Sequence, residues 1–355
     1  MRFSSITIAA TLLLTAASVT AEEVVLPHTF SNDTPALAGQ VNDNFGALKN
    51  AISSNQARLS QLEIKTNEAR TLTVKDAGDE SANGAALITA MASISDATSE
   101  NPWLIKLESA TYDLGSNPLT LKPNVYIAGS GFSRIEGNPD SSSSGLIVFT
   151  GVSGLSKLWV RHNGGGETAI AIYVSGVTDF ENRTAGLSDV IVVARDATTA
   201  IGIALRNSSQ FYIDDSTVIA ENASTAIGID AKGDSNTLIE NSVVNSAKAT
   251  GGSYNYAVKL IGGSVALGLG NRFNGPNEGI GTGSSIGVVT SDGGSSLLCT
   301  SCTVVGQTKS LDVTNGGVAI LSGGFVAGPN NCTSDSCLCA GIIGDYGIAP
   351  TSCSQ

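Results

Sequence analysis

The sequence has 355 residues, enough for one large domain or two of medium size, and only 14% of them are charged. Glycine accounts for 41 of them, about 11.5% against roughly 7% in ordinary proteins; a disordered acidic tail, a charge-laced helical bundle and a coiled-coil rod over the whole length are excluded. The formal net charge of −12 with no Lys/Arg cluster excludes a nucleic-acid partner, and with two histidines no His-rich metal site and no cofactor is expected.

Met1, Arg2 and Phe3 precede an apolar run over residues 6–17, then Val19, Thr20 and Ala21 before Glu22. A short positive region, an apolar core too short to span a bilayer and small residues at −3 and −1 read as a secretory signal over residues 1–21. The expected location is therefore outside the cytoplasm: secreted, periplasmic or on the cell surface. No later stretch approaches 18 apolar residues, so no membrane span is expected in the mature form.

Residues 22–70 form an N-terminal helical segment. Val41, Phe45, Leu48, Ile52, Asn55, Leu59 and Leu62 recur at alternating steps of four and three, a heptad pattern with one polar position. Two readings stand: a homotrimeric coiled coil through residues 41–62, its register fixed by Asn55, or one amphipathic helix docked on its own domain. A linker over residues 66–73 and a second helix over 85–94 follow, and Trp103, Leu104, Ile105, Lys106 and Leu107 open a β pattern.

From Leu119 the chain repeats itself. Copies begin at Ala169, Ala200, Ala226, Ala257, Ser285 and Ser310, spaced 31, 26, 31, 28 and 25 residues apart, each followed by one or two further strand-like runs. Short strands separated by Gly/Ser/Asn/Asp turns at this period predict an all-β protein: a right-handed parallel β-helix of about eight coils over residues 71–328. A β-sandwich has short strands too, but no reason to repeat Ala-Ile-Gly-Ile at one phase of a longer period. Period-2 alternation points Ile170, Ile172, Ile201, Ile203, Ile227, Ile229, Val258 and Leu260 inward. The outward columns are then Ala171, Gly202, Gly228, Lys259, Gly287, Asp312, and beside them Tyr173, Ala204, Asp230, Ile261, Val289, Thr314.

Cys299, Cys302, Cys332, Cys337, Cys339 and Cys353 all lie near the C-terminus, and residues 329–355 read as a disulfide-rich cap. Six cysteines allow 15 pairings. Cys299-x-x-Cys302 sits in a β run with no histidine nearby, so a disulfide outranks a zinc or redox site.

Several segments carry a family resemblance. Residues 103–115 and 119–131 resemble the opening coil of pectin-lyase-like right-handed β-helix proteins. Residues 30–48 are similar to an N-terminal element of exported bacterial proteins of uncharacterised function, and residues 339–353 resemble the C-terminal cap of such β-helices. The resemblance implies the fold; it implies no single activity, because the superfamily hosts lyases, hydrolases, esterases and non-enzymes. Asp214-Asp215 resembles the paired aspartates of polygalacturonases, but that family's His-Gly and Arg-x-Lys partners are absent, as are the pectin-methylesterase motifs. The cap resemblance and proximity pair Cys339 with Cys353, leaving Cys299–Cys302 and Cys332–Cys337 as local bridges.

The outward columns are mostly small or apolar. Their best chemical constellation is Asp230 with Arg206, Lys232 and Lys259: either one carboxylate base inside a cationic clamp for substrate, or a solvated surface ion-pair group. Lys157, Trp159 and Arg161 alternate outward on one strand, a candidate carbohydrate-binding set in which the indole stacks on a sugar and the cations engage carboxylates; Trp159 packed under residues 163–167 is the other reading. His162 has no partner for a triad, and Asp214-Asp215 fits an Asp bonded to its own turn better than a Ca²⁺ site. The reading is an exported, non-catalytic structural or glycan-contacting module with extracellular polysaccharide as partner; the alternative is a polysaccharide lyase or glycoside hydrolase.

Overall fold

The computed structural model describes residues 27–29, 37–139, 144–178, 185–247, 254–275, 284–332, 337–344 and 347–348. The expected signal over residues 1–21, residues 22–26 and 30–36, and Cys353 lie outside them. The chain divides into two compact units, one ending at Ala69 and one beginning at Arg70.

The first unit holds α1, Ala38–Ala69, which extends the heptad stretch at both ends. The His28 amide donates to Asn44 Oδ1 (2.9 Å) and Asn44 Nδ2 donates back to the His28 carbonyl (2.8 Å), tying His28 to the helix. Leu37, Phe45, Leu48 and Ile52 are between 41% and 65% exposed. The side chains of 54–69, including Asn55, Leu59 and Leu62, lie outside the description.

The second unit begins one residue after α1. Thr71–Val74 is a strand where a linker was expected, because its alternating β-branched and apolar residues pair in parallel with Trp103–Leu107. Between them α2, Glu80–Ser93, starts where Asp79 accepts from the Ala82 amide at 2.7 Å. Leu87, Met91 and Ile94 enter the main core. A Cβ at Gly84 would lie 1.8 Å from the Asp113 carbonyl oxygen, so only glycine lets the helix rest on Thr111–Asp113.

From there the chain winds as a parallel β-helix of about seven turns, close to the eight expected, and right-handed as parallel crossovers almost always are. It has three faces. The first stacks Val125–Gly129, Gln210–Asp214, Asn236–Glu240 and Val265–Leu269; the second stacks Arg134–Gly137, Thr217–Glu221, Val243–Ala247 and Arg272–Asn274. Long strands such as Gly154–His162, Gly186–Arg195 and Ser296–Val305 supply both faces. The third face is, among the described residues, a sheet of nine strands that includes Thr168–Ser175, Thr199–Arg206, Thr225–Lys232, Tyr254–Ile261 and Ser284–Ser291.

The corners explain the turn residues. Lys157, Asp189, Asp215, Asn241 and Ser301 are left-handed and stack in register at the corner between the first and second faces, where Asp and Asn bear such angles best. Just inside runs a polar ladder: the Ser216 amide donates to Ser242 Oγ at 3.0 Å, and the Ser242 amide to Asn271 Oδ1 at 2.9 Å. One coil on, the buried disulfide Cys299–Cys302 takes this ladder's place. Cys332–Cys337 is the second bridge, and the strand Cys337–Gly344 adds one more rung at the cap. The Cys339–Cys353 pairing lies outside the described residues.

The third face corrects the expected alternation. Pairing skips Gly202 and Gly228, and a Cβ at either would lie 2.4 Å from Val218 or Val244 Cγ1 in the core. Each strand bends there and turns two consecutive residues inward. Ile170, Ile201 and Ile227 therefore face outward, in a cluster of their own with Ala204, Tyr173 and Tyr256, while Ala171, Ile172, Ile203 and Ile229 fill the core. The later copies are also displaced: Asn255, not Ala257, stands opposite Ala226, and Lys309, not Leu311, opposite Ile286. The outward column in register is Tyr173, Ala204, Asp230, Lys259, Val289 and Asp312.

Candidate functional site

Asp230 lies at the centre of the third face, between Ala204 and Lys259 on the flanking strands. The methyl of Ala204 leaves room for Arg206, two residues further along, to reach across. Arg206 Nη2 donates to Asp230 Oδ2 at 2.6 Å, and Nη1 to the Asp230 carbonyl at 2.6 Å. Lys232, on the same strand as Asp230, places Nζ 3.1 Å from the same Oδ2. Asp230 Oδ1 is buried and has no hydrogen-bond partner among the described residues.

The Asp230 side chain is 1% exposed, against 21% for Arg206 and 43% for Lys232. The group is thus not the solvated ion cluster expected, but a buried carboxylate beneath partly exposed cations. Nor is it a free base: the carboxylate is closed to solvent and one oxygen holds two cations.

Lys259 completes the group differently. Its Nζ sits 5.1 Å from the centre of the Tyr256 ring, and Tyr256 stacks on the 55% exposed Tyr254 with centroids 6.0 Å apart and planes at 5°. Burial pushes the Lys259 ammonium below its ordinary pKa, Lys232 and Arg206 repel it further, and Asp230 opposes them. Tyr256 is pushed up to about 12, chiefly by burial. Tyr254 and Tyr256 escaped the sequence reading because the displaced copy hid their phase; their i, i+2 spacing is the signal that puts both rings on one side of a strand.

The second candidate set divides. Lys157 is the left-handed corner residue, so the strand does not alternate through it. Trp159 is 41% exposed rather than packed away, with Arg134 beside it in register on one side and Ile191 on the other. Arg161 Nη2 and Arg134 Nε both hold Glu136, at 2.5 and 3.0 Å. Arg134 and Glu136, unmarked in the sequence reading, thus complete a cation-rimmed indole.

His162 is structural. Its Nδ1 accepts from the Gly164 amide at 3.0 Å, Nε2 meets the Pro139 carbonyl at 3.2 Å, and burial lowers its pKa. Asp215 occupies the left-handed corner, while Asp214 stands beside Glu240 on the next strand of the first face. Burial first, then the charges of Asp215 and Glu240, raise the Asp214 pKa; Tyr212 Oη donates to Glu240 Oε2 at 2.7 Å. Among the described residues no group of three His, Cys, Asp or Glu side chains is placed to hold a metal ion.

No family model matches the chain, and no curated protein matches it. Among solved structures it is similar to ORF18 of Geobacillus virus E2, at 11% identity and a TM-score of 0.47, covering 83% of this chain and 62% of that one. It is also similar to the A-modules of two Azotobacter vinelandii mannuronan C-5 epimerases. For AlgE4 the identity is 13% and the TM-score 0.33, over 75% of this chain and 88% of that one. For AlgE6 they are 12% and 0.26, over 76% and 95%.

Proposed function

We propose that this β-helix is an exported, non-catalytic module that contacts extracellular polysaccharide. The observation that carries the reading is Trp159, an exposed indole on a flat sheet face with Arg134 in register beside it and Arg161 two residues on. An indole face presents apolar surface to the C–H face of a sugar, and flanking cations add attraction for carboxylates. The leader-like residues 1–21 and two disulfides support export. Further copies of α1 are the proposed cover for its exposed heptad stripe, in a homotrimer through residues 41–62.

Against catalysis, Asp230 is buried and doubly paired. One observation favours the alternative of a hydrolase: Asp214 and Glu240 stand one strand apart, about 4.8 Å along the stack, and burial raises the Asp214 pKa above its ordinary value. A single assay separates the two. Incubated with polygalacturonate, alginate and neutral polysaccharides, the mature chain is expected to bind at least one and to release neither unsaturated nor reducing ends. Release that disappears in Asp214→Asn or Glu240→Gln would establish the hydrolase instead.

A further inference from the structure

The third face carries a charge pattern that structural needs do not account for. Asp230 spends one oxygen, Oδ2, on both Arg206 and Lys232, and Lys259 stands on the adjoining strand with no carboxylate within salt-bridge reach among the described residues. A half-buried cation without a counter-ion is costly, the more so beside two other cations. Among the described residues, three cations share one carboxylate at this spot, an excess of two positive charges in a chain whose net charge is −12. Such an excess is what an anionic ligand neutralises. The neighbouring Tyr254 and Tyr256 rings stack with their planes nearly parallel, 5° apart, and Tyr254 is largely open to solvent.

We propose that Lys259, together with Lys232 and Arg206, binds the carboxylate of a sugar-acid residue in an acidic polysaccharide, with Tyr254 as the platform for the adjoining sugar ring. The site deepens the glycan-contacting reading and rests on it. Asp230 has a positioning role: it fixes the guanidinium and the Lys232 ammonium, so that no side-chain ordering remains to be done when the ligand arrives. The ligand carboxylate supplies Lys259 with the counter-ion the protein withholds. Binding therefore raises the Lys259 pKa, and affinity declines as pH rises through the lowered value of the free protein.

The test is calorimetric titration of the mature chain, disulfides intact, with oligogalacturonate, its methyl ester and alginate oligomers. The acid forms are expected to bind at least ten-fold more tightly than the ester. Lys259→Met loses at least ten-fold for the acid forms and little for the ester, Lys259→Arg retains most of the affinity, and NMR of labelled lysine shows the Lys259 titration moving up on binding. Equal affinity for acid and ester, or an unchanged Lys259→Met, overturns the subsite. If binding then proves to depend on Trp159→Ala alone, the glycan reading survives without this site. If the wild-type chain binds no polysaccharide, both fall.

Discussion

Asp230 shows what one charge does when it is placed under three others. Replacing it with Asn keeps the shape but leaves Arg206, Lys232 and Lys259 clustered on three adjacent strands without the carboxylate between them. Breaking a buried ion pair from one side costs on the order of 3 kcal/mol, so Asp230→Asn is expected to lower the urea midpoint clearly. Adding Lys232→Met should recover part of the loss, which a double-mutant cycle would measure. His162 gives a pH signature. Because burial lowers its pKa, the unfolded chain binds a proton below about 6.5 that the folded chain refuses, and stability falls as pH drops through that range until the folded pKa is passed. Asp214 acts in the opposite sense, since its raised pKa adds stability below its unfolded value and loses it as pH rises through the folded one. Denaturation at pH 7.5 and pH 5 should show a shallower decline for His162→Gln than for the wild type. At this scale the nearness of Asp230, Arg206, Lys232 and Lys259 is legible in the sequence, because charges on a repeat align even when the phase is uncertain. It does not distinguish a solvated group from a buried one, since that depends on Ala204 lying alongside.

The bend at Gly202 and Gly228 is the element that reorganised the third face. The repeat period is legible because Gly, Asn and Asp mark every corner, but strict alternation assumes an unbent strand. Here two neighbours point inward at each bend, and everything before it changes sides. Gly202→Ala puts a methyl 2.4 Å from Val218 Cγ1 and 2.6 Å from the Gly228 carbonyl oxygen. Overpacking of this kind costs about 1–3 kcal/mol. In a Val218→Ala background the same substitution should cost less, as chemical denaturation of the four variants would show. The strand Thr71–Val74 was missed for a related reason: four residues give too little pattern to stand out from a linker until a partner strand is known.

Over the whole molecule, α1 and the β-helix are separate problems. The heptad steps that reveal α1 in the sequence say which residues share a stripe, and the structure leaves Phe45, Leu48 and Ile52 on that stripe exposed. An uncovered stripe of this kind on a helix of 32 residues favours assembly. Light scattering is expected to give a trimer for the mature chain and a monomer once residues 22–69 are removed; a monomer in both would leave α1 without a partner. The β-helix itself, by contrast, stacks coils that bond only to the coils before and after them. That arrangement has a mechanical side. Pulled from its C-terminal end, the stack should give way in steps, each coil of 25–31 residues releasing roughly 85–105 Å of slack chain. The corner bridge Cys299–Cys302 shortens its own step by only the residues it encloses. A surface module built this way would yield under drag by lengthening coil by coil while the coils nearer α2 stay wound.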